Sequence, residues 1–209
     1  MGTDIHSVVQ VLLDGKWVTV VVGLCDRIRS YRTFAVLAGV RNGFGFAGIR
    51  TGEPVTPIAP PRGLPTDFEV VEGHDHPLPL DLQKRDESVW MGDHSHSHLL
   101  LSEIQKYASA RMSGCGYISD SSYVDWDGES EPWTHCAMVT GTNVVLMTDA
   151  EYQPYVDDDT VPALDKDIYI QVTWLDETYI PRYIEEMEAV AKKYNVSPSD
   201  VRLVFGFDS

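Results

Sequence analysis

The chain has 209 residues, of which 43% are hydrophobic and 23% charged, and these are ordinary values for a globular protein. This length predicts a single globular domain over residues 1–209. The apolar runs fall short of the roughly 20 residues that cross a bilayer, and no secretory signal opens the sequence, so we expect no membrane contact. The three cysteines show no CxxC spacing, which is typical of thiols in a reducing, cytoplasmic compartment.

The formal net charge is −16, and it is unevenly spread. Residues 1–63 carry seven Lys or Arg against four acids, whereas residues 119–167 carry twelve Asp or Glu against Lys166 alone. An acidic protein repels the phosphate backbone, so we expect no general nucleic-acid binding. The acidic stretch has two interpretations that the sequence leaves open. It is a solvated surface that faces water, or it is a decoy for the DNA that another protein normally binds.

The first elements are a hairpin and a short helix. VVQVLL and WVTVVV are β-branched runs joined by Asp14-Gly15, so residues 4–22 predict a β-hairpin. Alternation along the first strand places Asp4 and His6 on one face. YRTFAVLAGV (31–40) then predicts a short helix closed by Gly39.

The middle of the chain is rich in glycine and proline. Residues 41–65 and 72–98 are predicted to be irregular, because these two residue types interrupt any regular element. Ser102 with Gln105 forms a capping-box pattern, which predicts a helix from there to about Met112. TNVVLMT (142–148) predicts a strand.

The C-terminal third has the clearest patterns. Alternation predicts strands over 167–174 and 201–207, and an apolar stripe with Pro181 in the first turn predicts a helix over 181–194. The expected fold is therefore a single α+β domain with an N-terminal β-hairpin, a mixed or antiparallel sheet, two or three helices and long irregular loops.

Several motifs occur in a specific order along nearly the whole chain. They are MGTDIH, FAVLAGVRN, APPRGLP, HSHS and the closing LVFGFDS. In this order they resemble a family of uncharacterised tailed-bacteriophage and prophage proteins. The resemblance implies a phage accessory protein in the cytoplasm of the infected bacterial host. It implies no activity, so the chemistry has to be argued from the residues.

The segment HSHSH (94–98) places three histidines at alternate positions. Side chains two apart in an extended segment project to the same side, and histidine with carboxylate is the ligand mixture that zinc and manganese accept. The segment Asp4-Ile5-His6 supplies a second pair of candidate metal ligands. The candidate metal ligands are Asp4, His6, His94 and His96, for a divalent ion such as Zn or Mn. The alternative is that the histidines cap the following helix or face water.

Known histidine motifs do not fit this segment. A metallo-β-lactamase-like nuclease needs H-x-H-x-D-H, and His98 occupies the aspartate position. A two-histidine phosphoesterase needs two separated H-x-[ST] motifs, which are absent. Gly43-x-Gly45-x-x-Gly48 formally matches a dinucleotide fingerprint, but the following residues, with Pro54 among them, cannot form the long helix that such a site requires.

The glycine-rich loop still offers exposed amides between arginines, a combination that favours anion binding. The candidate ligand-binding residues are Arg41, Asn42, Gly45, Arg50 and Arg62. We expect the three arginines to point into one pocket beside the histidines. The alternative is that Phe44 and Phe46 anchor the loop and the glycines only permit its turns.

Two functions from different classes follow. The first is a metal-dependent hydrolase that acts on or binds a phosphate-bearing small molecule such as a nucleotide, with Asp93 and His98 as the catalytic residues that move the proton. The second is a non-catalytic acidic phage protein that binds and inhibits a host defence protein, or sequesters a nucleotide signal. The sequence leaves open whether the protein is an enzyme, and it predicts no oligomeric state.

Overall fold

The computed structural model describes residues 2–26, 28–68, 90–158, 160, 162 and 165–209. Most of the irregular segment expected over 72–98 therefore lies outside the described residues. The chain divides into two compact units, each built from separate segments. The first unit comprises Met1–Asn42, Val55–Ala110 and Thr178–Ser209, and the second comprises Gly43–Pro54 and Arg111–Glu177. The expectation of a single domain stays a prediction.

The described residues form seven strands, five α-helices and three short 3-10 helices. The strands are β1 (Asp4–Leu13), β2 (Lys16–Val22), β3 (His94–Leu100), β4 (Arg111–Ser119), β5 (Val144–Thr148), β6 (Asp167–Glu177) and β7 (Val201–Asp208). The helices are α1 (Tyr31–Ala38), α2 (Leu101–Ile104), α3 (Asp120–Val124), α4 (Asp149–Asp157) and α5 (Ile180–Tyr194). The expected α+β fold is confirmed, and α1, α4 and α5 are the helices of eight residues or more. No helix in the described ranges combines the length and the hydropathy that crossing a bilayer requires.

The first unit contains a four-stranded antiparallel sheet in the order β2-β1-β7-β3. The predicted N-terminal hairpin is present, and both Asp14 and Gly15 have positive φ, as the tight hairpin turn requires. Phe34 of α1 meets Phe207 of β7 edge to face, with ring centroids 5.2 Å apart. The chain's last strand is thus a central strand that is buried along nearly its whole length.

The second unit contains a three-stranded sheet in the order β4-β6-β5, in which β5 runs parallel to β6 and β4 antiparallel. Along β6, Ile168, Ile170, Val172 and Trp174 are buried and alternate with exposed or half-buried residues. The buried set packs with Tyr123 and Tyr152 in one apolar cluster. Period-two alternation therefore gives this sheet one core face and one polar face.

Two predicted elements differ from the structure. The helix expected from Ser102 to Met112 is short: α2 ends at Ile104, a 3-10 turn covers Gln105–Tyr107, and Met112 already lies in β4. Residues 94–98, expected to be irregular, open β3. Pairing explains both differences, because β3 bonds to β7 and β4 bonds to β6 over nine registered positions. Tertiary pairing overrides a local helix signal in this way.

Candidate functional site

In the sheet of the first unit, β7 lies between β1, which carries His6, and the histidine strand β3. In the sheet, His6 pairs with Gly206 of β7. An added methyl group on Gly206 would lie 2.6 Å from Cδ2 of His96. The two histidines therefore flank the same glycine.

The candidate metal ligands mostly have partners within the protein. Arg29 holds Asp4 through two hydrogen bonds of 2.7 and 2.5 Å, and this guanidinium lowers the pKa of the Asp4 carboxyl. The two ring nitrogens of His94 lie 3.1 Å from Ser95 Oγ and 3.0 Å from Ser209 Oγ. His96 Nε2 lies 3.1 Å from the carbonyl oxygen of Gly92.

His6 is the exception in this group. Its Nε2 is buried without a hydrogen bond and lies 3.5 Å from Asp208 Oδ2, and its ring packs on Trp90 at 4.6 Å. Across the described ranges, no group of three or more His, Cys, Asp or Glu side chains is arranged to hold a metal ion. The zinc or manganese site stays a prediction.

The predicted catalytic pair occupies two positions along the histidine strand. Asp93 is exposed in the turn before β3, and its backbone N–H donates to the carbonyl of Phe207 at 2.8 Å. His98 Nδ1 lies 3.2 Å from the carbonyl oxygen of Gly63. Asp93 is thus fixed through its backbone and His98 through its ring, and the role of both residues in moving a proton stays a prediction.

The predicted arginine cluster is distributed over separate contacts. Arg41 donates to Thr3 Oγ1 at 2.8 Å and lies over the Tyr31 ring. Arg62 binds both carboxylate oxygens of Glu103, at 3.0 and 2.7 Å. Only Arg50 lines the cavity of the second unit described below. Arg41 and Arg62 have the partners just described, and the pocket expected to be shared by the three arginines beside the histidines stays a prediction.

Asn42 and Gly45 shape the glycine-rich loop. The Asn42 side-chain amide donates to the Val55 carbonyl at 2.7 Å and accepts from the Val55 N–H at 2.8 Å. This pair of bonds fastens the two stem residues that enclose segment 43–54. Gly45 donates to the Ile49 carbonyl at 2.8 Å, and a side-chain carbon there would lie 2.9 Å from Thr51 Cγ2. Both residues thus have structural contacts that account for them.

An open cavity of about 830 Å³ lies within the second unit. Cys115 and Thr173 are paired residues of β4 and β6, and they line it from the polar face of the sheet. Gly52 closes another side against β4, where a Cβ would lie 2.0 Å from the Ser113 carbonyl oxygen, so only glycine fits. Arg50, Gly52 and Glu53 of the glycine-rich loop form one wall of this cavity.

Charged and aromatic side chains define the chemistry of this cavity. The side chains that determine its charge and its aromatic character are Arg50, Glu53, Tyr123, Trp126, Asp127 and Asp149. Arg50 is ion-paired with Glu53. The Tyr123 hydroxyl donates to Asp149 Oδ1, and burial raises the pKa of this hydroxyl, which keeps it neutral. Asp127 accepts from the backbone N–H groups of Glu129 and Ser130, both at 2.9 Å.

Of these six residues, only Arg50 was a candidate from the sequence. The others come from the loop, α3, the turn after it and the start of α4, and they share no motif. The one signal that pointed to them is the density of acids over residues 119–167.

The acidic stretch lies on the surface, as predicted. Eleven of its twelve carboxylates belong to described residues; ten of these are exposed and Asp120 is half-buried. The second unit as a whole carries fifteen Asp and Glu against Arg50, Arg111 and Lys166, a formal net charge of −12. Three quarters of the net charge of the chain is therefore concentrated in this unit.

No protein-family model, curated protein or solved structure matches the chain. The resemblance to tailed-bacteriophage proteins therefore stays a prediction.

Proposed function

We propose that this protein is a non-catalytic binding protein whose acidic second unit engages a basic partner protein. The observation that carries the proposal is the concentration of exposed carboxylates in that unit, with a net charge of −12. Such a field attracts a positively charged surface and raises the rate of encounter. If the phage resemblance holds, the partner is a protein of the infected bacterium and binding takes place in its cytoplasm.

Exposed apolar side chains support the same proposal. Of the ten large hydrophobic residues that are exposed in the described ranges, seven belong to the second unit. These seven are Phe44, Val124, Trp133, Met138, Leu146, Val156 and Leu175. Trp133 is 98% exposed. Tryptophan anchors are frequent hot spots of protein interfaces, while surrounding charges mainly provide specificity and speed.

The experiment is an affinity capture from bacterial lysate followed by calorimetry with the purified partner. We compare the unmodified protein with Trp133→Ser, and with Trp90→Ser as a matched control, because Trp90 is an exposed tryptophan of the first unit. We expect Trp133→Ser to weaken binding by at least about tenfold, and Trp90→Ser to leave it unchanged. Binding should also weaken as salt is raised. Equal effects of the two variants, or binding independent of salt, would contradict the proposal.

A metal-dependent hydrolase that acts on a nucleotide is the second candidate. It is favoured by one observation: His6 and His96 flank Gly206, and the buried His6 Nε2 has no hydrogen bond. The test is metal analysis after equilibration with Zn²⁺ or Mn²⁺, with nucleotide hydrolysis assayed in parallel. Stoichiometric metal that is lost in His6→Ala would support the hydrolase. Absence of both metal and turnover would leave only the binding protein.

A further inference from the structure

The cavity of the second unit is negatively charged. Glu53, Asp127 and Asp149 line it, and Arg50 is the lining cation, already ion-paired with Glu53. The Ser130 hydroxyl, followed by the backbone N–H groups of Glu129 and Ser130, lowers the pKa of the Asp127 carboxyl, so this group remains ionised at neutral pH. Asp149 receives its hydrogen bond from the neutral Tyr123 hydroxyl on Oδ1. Two carboxylates in the cavity thus lack a positive partner among the described residues.

Two aromatic rings form a corner of the same cavity. The centroids of Tyr123 and Trp126 lie 6.2 Å apart, with planes inclined at 55°. Both rings are held in place by their polar ends: the indole N–H of Trp126 donates to the Ser130 carbonyl at 2.7 Å, and the Tyr123 hydroxyl binds Asp149 and Gln153. Fixed aromatic faces beside carboxylates attract organic cations, and little side-chain entropy is lost on binding.

An anion is disfavoured in this cavity, although Arg50 and the N-terminus of α4 are present. Glu53 already neutralises Arg50. The first turn of α4 carries Asp149 and Glu151, and the Glu151 carboxylate accepts from both the backbone N–H and the hydroxyl of Thr148. The positive end of this helix is thus compensated by its own side chains. The phosphate expected beside Arg50 from the sequence would meet net negative charge.

We propose that this cavity binds an organic cation, a guanidinium or alkylammonium group, between the Asp149 carboxylate and the ring of Trp126. Asp149 Oδ2 accepts a hydrogen bond from the ligand, the Trp126 ring contributes cation–π attraction, and the Tyr123 hydroxyl holds Asp149 in place. The cation comes from an arginine or lysine side chain of a partner protein, or from a free polyamine. The first source rests on the proposed function, whereas the cation site itself does not.

The test is calorimetric titration of the full chain with three probes: an arginine-containing hexapeptide, spermidine and inorganic phosphate. The variants are Asp149→Asn, which keeps the shape of the side chain, and Trp126→Leu, with Trp126→Phe to restore a ring. Asp165→Asn is the matched control, because it removes the same charge from an exposed residue that does not line the cavity. Circular dichroism establishes that each variant is folded.

We expect Asp149→Asn and Trp126→Leu to weaken binding of a cationic probe by about tenfold, as the loss of one charge-assisted hydrogen bond or cation–π contact implies. Trp126→Phe should recover part of the loss, and Asp165→Asn should change the affinity by less than about twofold. Preference for the hexapeptide identifies a protein side chain as the source, and preference for spermidine identifies a free polyamine.

Equal losses in Asp149→Asn and Asp165→Asn would show that only the overall field acts, which overturns the cation site and leaves the proposed function standing. Binding of phosphate in preference to both cations would overturn it as well, and so would the absence of cation binding. Conversely, cation binding that depends on Asp149, together with a partner that ignores Trp133→Ser, would retain the site and refute the proposed function.

Discussion

The first unit buries 26 hydrophobic residues of the described chain, and the second unit buries eight. The charges are distributed in the opposite sense, because the second unit carries −12 of the net −16. Apolar burial supplies most of the free energy of folding, whereas like charges oppose a compact state. The comparison teaches that stability resides mainly in one part of the chain, and that the exposed charges and apolar side chains suited to recognition are concentrated in the other.

The cysteines give the largest expected difference between the units. Cys25 in the first unit is fully buried, and burial raises the pKa of its thiol to about 12. At pH 8 its thiolate fraction is about three orders of magnitude below that of an unperturbed cysteine, whose pKa is about 8.5. We expect alkylation of Cys25 to be slower by at least that factor in the folded protein than in urea.

Cys115 and Cys136 of the second unit are partly exposed and serve as the internal control. They should react with iodoacetamide well before Cys25, as peptide mass spectrometry over time would reveal. Alkylation of all three at one rate would mean that the first unit opens as readily as the second, and the comparison would fail.

A core truncation tests the same difference through stability. Phe205 in β7 is completely buried, and Phe205→Ala should lower the free energy of unfolding by about 3–5 kcal/mol, because it removes a large apolar side chain and leaves a cavity. Phe44→Ala is the matched control in the second unit, where the ring is 47% exposed; it should cost less than about 1 kcal/mol. Urea denaturation followed by circular dichroism measures both. Similar losses would contradict the assigned location of the core.

The Arg62–Glu103 ion pair tests how much one electrostatic contact contributes to the stability of the first unit. Glu103 also accepts from the Leu100 N–H at 2.9 Å, so Glu103→Gln should cost about 1.5–3 kcal/mol at pH 7. Arg62 lowers the pKa of the Glu103 carboxyl. A lowered folded-state pKa gives a contribution that is complete above the ordinary value of the unfolded chain and is lost as pH falls through the lowered value.

The stability difference between the unmodified protein and Glu103→Gln should therefore be constant near neutral pH and shrink in acid. Unfolding measured from pH 7 downward in small steps tests this. A difference that grows in acid would show that the carboxylate is not stabilised by Arg62.

Salt should have the smallest effect, and it should act mainly on the second unit. Screening reduces repulsion among its exposed carboxylates, so added NaCl should slow amide hydrogen exchange in β4–β6 by an amount equivalent to at most about 1 kcal/mol. The first unit, β1 and β7 above all, should change less. Hydrogen exchange with mass spectrometry at low and high salt distinguishes the two. A uniform response would mean that the charges do not act locally.

The sequence predicted the elements whose patterns are local. The hairpin, α1 with its Gly39 cap, α5 and the last two strands all lie within a few residues of the expected bounds. It failed where long-range pairing decides the outcome. HSHSH becomes a strand because β7, about a hundred residues later, pairs with it, and the helix expected after Ser102 is cut short where β4 begins its pairing with β6.

The candidate site was harder to predict for the same reason. The shared strand face of Asp4 and His6 was visible in the sequence, but Gly92, Ser209 and Arg29, which contact the candidate metal ligands, are distant in sequence or carry no motif. Arg62 was expected to bind a ligand, because its actual partner, Glu103, lies 41 positions away and no local pattern connects the two residues. The cavity is built from five separate segments, so only its acidic character was visible in the sequence.

The position of β7 has a consequence for synthesis on the ribosome. Residues 201–208 emerge after all other strands, yet they lie between β1 and β3 in the first unit. The nascent chain must therefore carry the N-terminal hairpin and the histidine strand without their common neighbour until residues 201–208 have been synthesised. All segments of the second unit have emerged by then. Since nascent domains fold as their residues become available, the acidic unit can form first, while the better-packed unit waits for the final strand.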